Sequence, residues 1–343
     1  MGLWRRDPTR SIANAARQFQ YALEQSSSMD EAFQKLYAAA DQSQQDTLRQ
    51  LETLLRTPQS QSAVSGKLRH SAYPILAWLL HQTASPEKSA AALFREYRRH
   101  ESFSATSVVA VWSEFAGFLT YLGAVLCVLV VIVSMYAVFV LPQLQSLYSG
   151  FDLDLPRLTR VAFGHGSPLF IIFLVGAAGL LIFLFWFVYL LRRRVRRFIP
   201  LGTRYQRIPL VGPVVIAYHQ YLWLSYAGLL QAAGVQGAEA LKIARTRVPL
   251  TEATDWMEPG AAAERAAMSA PSALVSDLTM AARLGKLDEE MQFQQEATVD
   301  IFLGALARCR RGSRIILTIC TYYLVATFVS AMYLPIFSLG SAI

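Results

Sequence analysis

The stretch LFIIFLVGAAGLLIFLFWFVYLLRRRVRRFIP, residues 169–200, changes from wholly apolar to strongly basic at Arg192. A bilayer core is about 30 Å thick, so a helix of roughly 20 apolar residues crosses it. Lysine and arginine resist translocation and keep their end of a span in the cytoplasm. The stretch therefore predicts a transmembrane helix over residues 169–191 that is anchored by five arginines: Arg192, Arg193, Arg194, Arg196 and Arg197.

The arginine run has a second interpretation, which is contact with nucleic acid. Tracks for phosphate backbones usually come with aromatic stacking platforms or a recognition module, and neither is visible in this sequence. We therefore expect no nucleic-acid partner and favour the membrane anchor. An additional role in holding anionic lipid or an acidic partner is compatible with anchoring.

Two more stretches are long and apolar enough to span a bilayer, at residues 115–141 and from Ile315 to about Leu339. None of the three contains Asp, Glu, Lys, Arg or His. Basic residues precede the first and third spans, whereas the segment between the first two holds only Arg157 and Arg160 beside two aspartates. This asymmetry predicts a cytoplasmic N-terminus, a short periplasmic loop over 142–168 and a periplasmic tail over 340–343.

Composition agrees with a membrane protein. The chain is 54% hydrophobic and 16% charged, with a formal net charge of +8, whereas soluble domains average about 45–50% apolar and 25% charged. The N-terminus lacks the apolar region of a signal peptide. The three cysteines have no metal-binding or disulfide spacing, and we predict that all three are buried small hydrophobic residues.

The remaining sequence predicts two cytoplasmic helical bundles, over residues 1–114 and 192–312, with a third transmembrane helix over 313–339. Apolar residues recur at helical spacing in both bundles, and no alternating strand pattern of useful length appears. Gly234 is placed to end a helix in the left-handed conformation. Residues 58–67 predict a loop and residues 251–271 one or two short helices. The predicted fold is an all-α polytopic membrane protein.

No enzyme is predicted from this sequence. It has no phosphate-binding loop, no H-E-x-x-H or C-x-x-C motif and no G-x-S-x-G elbow. The five histidines are scattered, and the Asp288-Glu289-Glu290 cluster suits the first turn of a helix better than a metal site. We therefore predict no catalytic residue, cofactor or metal. The charge-free spans also argue against a solute transporter, which needs ionisable groups at membrane depth.

Several segments resemble the inner-membrane platform proteins of type II secretion systems and type IV pilus machines, the GspF/PilC family. They are VFVLPQLQSLYSGFDLDLPRLTRVAFG (138–164), RIPLVGPVVIAYHQYLWLSYAGLLQAAGVQGAEALKIA (207–244), GKLDEEM (285–291) and MYLPIFSL (332–339). The resemblance covers residues 110–343 in order. Its structural motif positions are Pro142, Leu155, Pro156, Gly212, Pro213, Gly234, Ala240, Leu241, Gly285, Leu287, Asp288 and Pro335.

The resemblance implies a scaffold of the bacterial inner membrane, of the shorter type IVb pilus kind. Its cytoplasmic part would dock a hexameric assembly ATPase, and its spans would pass the motor's movement to pilin or pseudopilin subunits. Other assembly proteins, membrane lipids and further copies of the chain are the other partners implied. A type II secretion platform and a DNA-uptake component stay open as alternatives.

Two features of the motifs lead to further expectations. The family usually carries Gly-Glu where this chain has Ala281-Ala282, so a role of that glutamate in packing or metal contact is in doubt here. Pro142 and Pro335 lie near the outer ends of spans one and three, where each either kinks its helix or ends it.

Overall fold

The computed structural model describes residues 17–19, 21–26, 28–56, 71–103, 108–151, 154, 156–157, 159–160, 169–250 and 273–342. The fold is all-α as predicted, and the described ranges contain no strand. Three helices are long and apolar enough to cross a membrane, which confirms that part of the prediction. The loop predicted over 58–67, the short helices predicted over 251–271 and motif position Leu155 lie outside the described residues.

The helices of the N-terminal part are α1 (Met29–Ala39), α2 (Gln42–Arg56), α3 (Tyr73–Leu80) and α4 (Pro86–Phe103). The first span comprises α5 (Val109–Met135), a π-helical segment (Tyr136–Val140) and α6 (Leu141–Gly150), and the second is α7 (Leu169–Arg197). A 3₁₀ turn (Thr203–Arg207) leads to α8 (Gly212–Ala232), α9 (Gly237–Arg245), α10 (Ala273–Arg283) and the long α11 (Leu287–Ala342).

The chain divides into two compact units. One, the helical body, comprises Met1–Val109 and Leu191–Leu306, and the other, the spanning unit, comprises Ala110–Leu190 and Ala307–Ile343. The two bundles predicted as separate thus belong to the same compact unit, and we call their residues 1–109 and 191–306 the two soluble segments. Helices α3 and α4 of the first segment pack against α8 of the second.

The helical body is built around α8, whose side chains are buried on nearly all sides. Trp223, Tyr218 and Tyr226 are among its largest fully buried side chains. The Trp223 indole N–H donates to the Leu241 carbonyl at 3.0 Å and so joins α8 to α9. Ser89 Oγ of α4 donates to the Ala233 carbonyl at 2.7 Å, which satisfies a carbonyl at the end of α8. Neither soluble segment alone covers α8, which is why both are needed for this core.

Inside the spanning unit, the first span has a buried stripe of side chains. Its positions are Leu119, Leu122, Leu126, Leu129, Tyr136, Leu141, Leu144 and Tyr148. Their spacing is that of left-handed helix packing except for the step of five from Tyr136 to Leu141. That step coincides with the π segment, in which the Leu141 N–H donates to the Tyr136 carbonyl. Without the wider turn the stripe would continue onto Phe139 and Val140, which are exposed.

The buried stripe packs against α11. Leu324 and Phe328 of α11 belong to the same apolar cluster as Leu126 and Tyr136, and the Tyr136 and Phe328 rings meet edge-to-face at 5.9 Å. Further toward the N-terminus of α11 than these contacts, Arg310 forms an ion pair with Glu114 of the first span. The first span continues as helix past its predicted end at Leu141 to Gly150, so the predicted loop begins with helix.

The prediction that all three cysteines are buried is wrong for Cys127. Cys309 is buried and Cys320 half-buried, but Cys127 is exposed on the first span. The reason is its position off the buried stripe, where a membrane span needs only an apolar side chain and no cover by protein. The sequence shows apolarity, but not which side of a uniformly apolar helix faces its neighbour.

Candidate functional site

The five arginines predicted as an anchor lie on the last two turns of α7, on either side of the buried Val195. Leu191 and Val195 point into the protein, whereas Arg192, Arg193 and Arg196 are exposed. The Arg194 guanidinium donates to the Pro200 carbonyl at 3.3 Å. Within the described ranges no carboxylate lies in ion-pair distance of Arg192 or Arg193. Their positive charges are therefore available to lipid headgroups or to an acidic partner.

Phe198 fixes the end of the arginine helix in the core of the helical body. Its φ is +56°, a left-handed conformation that usually belongs to glycine. The Ile199 N–H donates to the Arg194 carbonyl and the Phe198 N–H to the Val195 carbonyl, the hydrogen-bond pattern of a Schellman motif. The Tyr226 hydroxyl donates to the Phe198 carbonyl. These contacts hold the last turn of α7 in place against α8.

The buried ring of Phe198 explains why glycine is absent from this position. It lies 5.1 Å from the Tyr226 ring, 5.7 Å from His100 and 5.8 Å from Tyr97. Aromatic pairs at such distances add to the free energy gained by burial. Phe198 was not predicted as a site residue, since its only signal in the sequence is a non-glycine residue directly after a helix end.

His100 forms a polar connection between three helices. Its side chain is 7% exposed. The Gln295 amide of α11 donates to Nε2 at 3.1 Å, so that Nδ1 carries the proton and contacts the Tyr221 hydroxyl of α8 at 3.1 Å. A Cβ at Gly228 would approach Gln295 Oε1 to 2.8 Å, so glycine makes room for this amide. His100 fits the expectation of a satisfied polar residue, but its role in joining the two soluble segments had no sequence signal.

Acidification is expected to destabilise the helical body because of His100. Burial, with a smaller contribution from Arg99, lowers its pKa from 6.5 to about 4. Between pH 4 and 6.5 the His100 side chain is therefore protonated in the unfolded chain but not in the folded one. Its contribution to the free energy of unfolding is fully present above pH 6.5 and is lost as the pH drops toward 4. The gap corresponds to about 3 kcal/mol at 1.36 kcal/mol per pH unit. Melting of the purified protein between pH 7.5 and 4.5 measures this loss.

The control for the pH experiment is His100→Gln, which cannot titrate. Burial also lowers the pKa of His219, so a contribution of the same sign from that residue will remain in this variant. The expected result is a flatter melting-temperature profile below pH 6.5 than that of the unsubstituted protein. Identical profiles would contradict the assignment to His100.

The motif positions in the helical body form close contacts at helix ends. Gly212 begins α8 with Pro213 in its first turn, and a Cβ at Gly212 would lie 2.3 Å from the Gln206 carbonyl oxygen. Gly234 has the left-handed conformation predicted for it, with a φ of +93°. Ala240 and Leu241 are buried under α8.

The Gly285 turn joins α10 to α11. Gly285 has a φ of +70°, and the Lys286 N–H donates to the Ala281 carbonyl at 2.9 Å. The backbone of Ala281-Ala282 thus forms the turn at the position where the platform proteins that the motifs resemble usually carry Gly-Glu. Leu287 and Asp288 begin α11, and a Cβ at Gly237 of α9 would meet Asp288 Oδ1 at 2.4 Å. The structure therefore brings the Gly-x-Leu-Asp segment, residues 285–288, against the start of α9.

The remaining motif positions belong to the spanning unit, and neither proline ends its helix. Pro142 follows the π segment and lies in the first turn of α6, and Pro335 is inside α11. Proline has no N–H and its ring crowds the preceding turn, so the wide π turn before Pro142 leaves room for it. The Arg160 N–H donates to the Pro156 carbonyl at 3.0 Å.

Three hydroxyl groups surround Pro335. Because proline cannot donate to the carbonyl four residues earlier, Ala331 lacks its helical donor. Thr159 Oγ1 donates to that carbonyl at 2.9 Å. The Tyr148 and Ser338 hydroxyls donate to the Pro335 carbonyl at 2.6 and 3.0 Å. We call Tyr148, Thr159, Pro335 and Ser338 the proline cluster. It attaches the end of the first span, through Tyr148, and the segment after it, through Thr159, to the last part of α11.

Replacing Thr159 with valine is expected to destabilise the spanning unit by about 1 kcal/mol, since the buried Ala331 carbonyl then has no donor. Thermal unfolding in detergent measures the effect. The matched control is Thr120→Val, because the Thr120 hydroxyl bonds only to the Ala116 carbonyl of its own helix. Equal melting temperatures for the two variants would refute the role given to Thr159.

The described residues contain no group of three or more His, Cys, Asp or Glu side chains that would hold a metal ion. Comparison with known proteins finds no matching family model, no similar curated protein and no similar solved structure. The relation to platform proteins therefore remains a resemblance of sequence motifs.

Proposed function

We propose that the chain is an inner-membrane platform protein for type IV pilus assembly. Its helical body docks a cytoplasmic assembly ATPase, and its three spans hold the assembly site in the membrane. Movement of the motor reaches the pilin subunits through the helices that connect body and membrane. The chain itself performs no chemistry in this scheme, and its work is to hold and move other proteins.

The observation that carries the proposal is the continuity of α11. This helix has 56 residues, from Leu287 in the helical body to Ala342. At 1.5 Å per residue it is roughly 84 Å long. A continuous helix resists bending, so displacement at its cytoplasmic end is transmitted to the segment that lies in the membrane. A tether that only anchors a domain needs no such stiffness.

The organisation of the chain adds support. Residues 1–109 and 191–306 flank a pair of spans and belong to the same compact unit, as expected when both lie on the same side of the membrane. The basic residues at the cytoplasmic ends then face anionic headgroups. The apolar stretches contain no Asp, Glu, Lys, Arg or His, which favours a scaffold over a solute pathway.

The experiment that tests this function is deletion of the gene in its native host. We expect loss of surface pili by electron microscopy and restoration by the intact gene. Pili that persist while secreted proteins are lost from the medium would assign the chain to a secretion system instead. Normal pili and normal secretion would refute the platform function.

The stiffness of α11 is tested by insertion between Gly312 and Ser313. Four glycines interrupt the helix, whereas four alanines extend it by about one turn and nearly keep its phase. We expect pili with the alanine insertion and few or none with the glycine insertion, at equal protein levels. Normal pili with both insertions would show that a stiff α11 is not required.

A further inference from the structure

The tip of the α10–α11 hairpin exposes three large apolar side chains. Met280, Leu284 and Phe293 are 64%, 68% and 66% exposed, more than any other large apolar side chain described in the helical body. Met280 and Leu284 are one turn apart on α10, and Phe293 lies roughly 9 Å along α11 from its start. All three are therefore within about two turns of Gly285.

These side chains are outside the core because other residues already fill it. Leu278, Ala281 and Met291 occupy the inner side of the hairpin and are buried. The Gln294 amide donates to Asp277 at 3.2 Å and to Glu290 at 2.8 Å, which fixes the two helices in register. The exposed apolar side chains thus belong to a well-fixed surface and contribute little to folding.

The surface around them is acidic in an otherwise basic protein. Residues 273–300 contain six carboxylates and two basic residues, a net charge of −4, whereas the whole chain has +8. Glu289 is 76% exposed, and its ion pair among the described residues is with the exposed Lys286, a contact of small energetic value. A partner that presents lysine and arginine around an apolar centre would be complementary to this surface.

Lipid does not account for this apolar surface. Phe293 lies 15 residues before Arg308, the first arginine of the group ahead of the third apolar stretch. That separation is roughly 22 Å along α11, more than the depth of a headgroup layer. The negative charge would also repel the anionic lipids of a cytoplasmic leaflet. Exposed apolar residues on the spans meet acyl chains, but those at the tip face water.

We propose that the hairpin tip is a docking surface for a folded soluble protein that presents basic side chains around an apolar centre. Met280, Leu284 and Phe293 supply the apolar contact, and Glu289 and Glu296 the charge that selects the partner. The assignment rests on the proposed function only in placing the body in the cytoplasm. The docking surface does not depend on the partner being an assembly ATPase, because any soluble protein with basic side chains around an apolar centre would fit it.

Photo-crosslinking in the native host tests the proposal. Benzoylphenylalanine replaces Phe293 in one strain and, as control, Tyr21, another exposed aromatic residue of the body, in a second. We expect a light-dependent adduct with one soluble protein from position 293 and none from position 21. Mass spectrometry of the adduct should place the crosslink in a lysine- or arginine-rich surface of the partner.

Charge reversal gives the decisive comparison. Glu289→Lys together with Glu296→Lys should lower the adduct yield at least tenfold, with unchanged melting of the purified protein, and reversal of the partner's basic residues should restore it. No adduct, adducts only with lipid or with other copies of this chain, or a yield unaffected by charge reversal would overturn the proposal. The docking proposal and the platform function fail on different results. Loss of the adduct or of its charge dependence overturns the docking surface, whereas the platform function is refuted only if deletion of the gene leaves pili and secretion intact.

Discussion

Phe198→Ala will lower the melting temperature of the helical body by about 10 °C. Truncation of a buried phenylalanine costs about 3–5 kcal/mol, and 1 kcal/mol corresponds to roughly 2–4 °C for a unit of about this size. The ring of Phe198 contacts Tyr97, His100 and Tyr226, so its loss leaves a cavity where the two soluble segments meet. Circular dichroism of the full chain in detergent follows the transition.

The left-handed backbone at Phe198 leads to an unusual order of variants. Alanine keeps a side chain at a φ of +56°, which costs about 1–2 kcal/mol relative to glycine in that conformation. Phe198→Gly should therefore be less destabilising than Phe198→Ala by about 1 kcal/mol, the reverse of the order in an ordinary helix. If alanine proves the milder substitution, the left-handed conformation is not the one the protein adopts.

Phe293→Ala is the matched control, because this phenylalanine is also in the helical body but 66% exposed. The change in its free energy of unfolding should stay within the range of ordinary surface substitutions, about 0.5 kcal/mol, so its melting temperature should hardly move. A large loss in both variants would show that the measurement reports aromatic content, and the role of Phe198 in the core would not be supported.

The elements that sequence predicted well are those with a strong local signal. Long apolar stretches and helical periodicity predict three spans and an all-α fold, because bilayer thickness and the 3.6-residue repeat act on each segment by itself. Gly234 was predicted for the same reason, since a left-handed helix end favours a residue without Cβ. These constraints need no knowledge of what packs against the segment.

The features that sequence did not predict depend on contacts between distant residues. Ser89 bonds to Ala233, and Thr159 to Ala331. The π segment keeps the buried stripe facing α11 past Pro142. Neither helix propensity nor hydropathy predicts it, because both describe the segment without its neighbour. The sequence also did not show which side of each span is exposed, as Cys127 illustrates. Motif comparison identified Pro335 as a candidate position but not the hydroxyls that compensate for its missing N–H.

Gly212→Ala is expected to destabilise the helical body by about 3 kcal/mol. The added Cβ would lie 2.3 Å from the Gln206 carbonyl oxygen and 3.1 Å from its carbon. Both are backbone atoms, which cannot turn away as a side chain can, so the 3₁₀ turn or the start of α8 has to move. Forcing a methyl group into a well-packed site typically costs about 1–3 kcal/mol.

Movement of the turn has a further cost at Gln206. Its amide contacts Nδ1 of the buried His219 at 3.1 Å, and the other ring nitrogen contacts the Leu201 carbonyl at 3.0 Å. The Gly212 N–H also donates to the Ile208 carbonyl at 2.7 Å. A shift that relieves the clash therefore weakens hydrogen bonds to buried groups. This places the expected loss of stability at the upper end of the range of about 1–3 kcal/mol.

Gly202→Ala in the same connection is the matched control. A Cβ there would lie 3.6 Å from the Tyr205 ring, an ordinary contact, and the residue has a φ of −65° that alanine adopts freely. This variant should melt within 1–2 °C of the unsubstituted protein, or slightly higher because alanine restricts the unfolded chain. Since both variants add one methyl group within ten residues, equal melting temperatures would show that Gly212 does not lie against the Gln206 backbone. A loss confined to Gly212→Ala would identify that contact as the reason glycine begins α8.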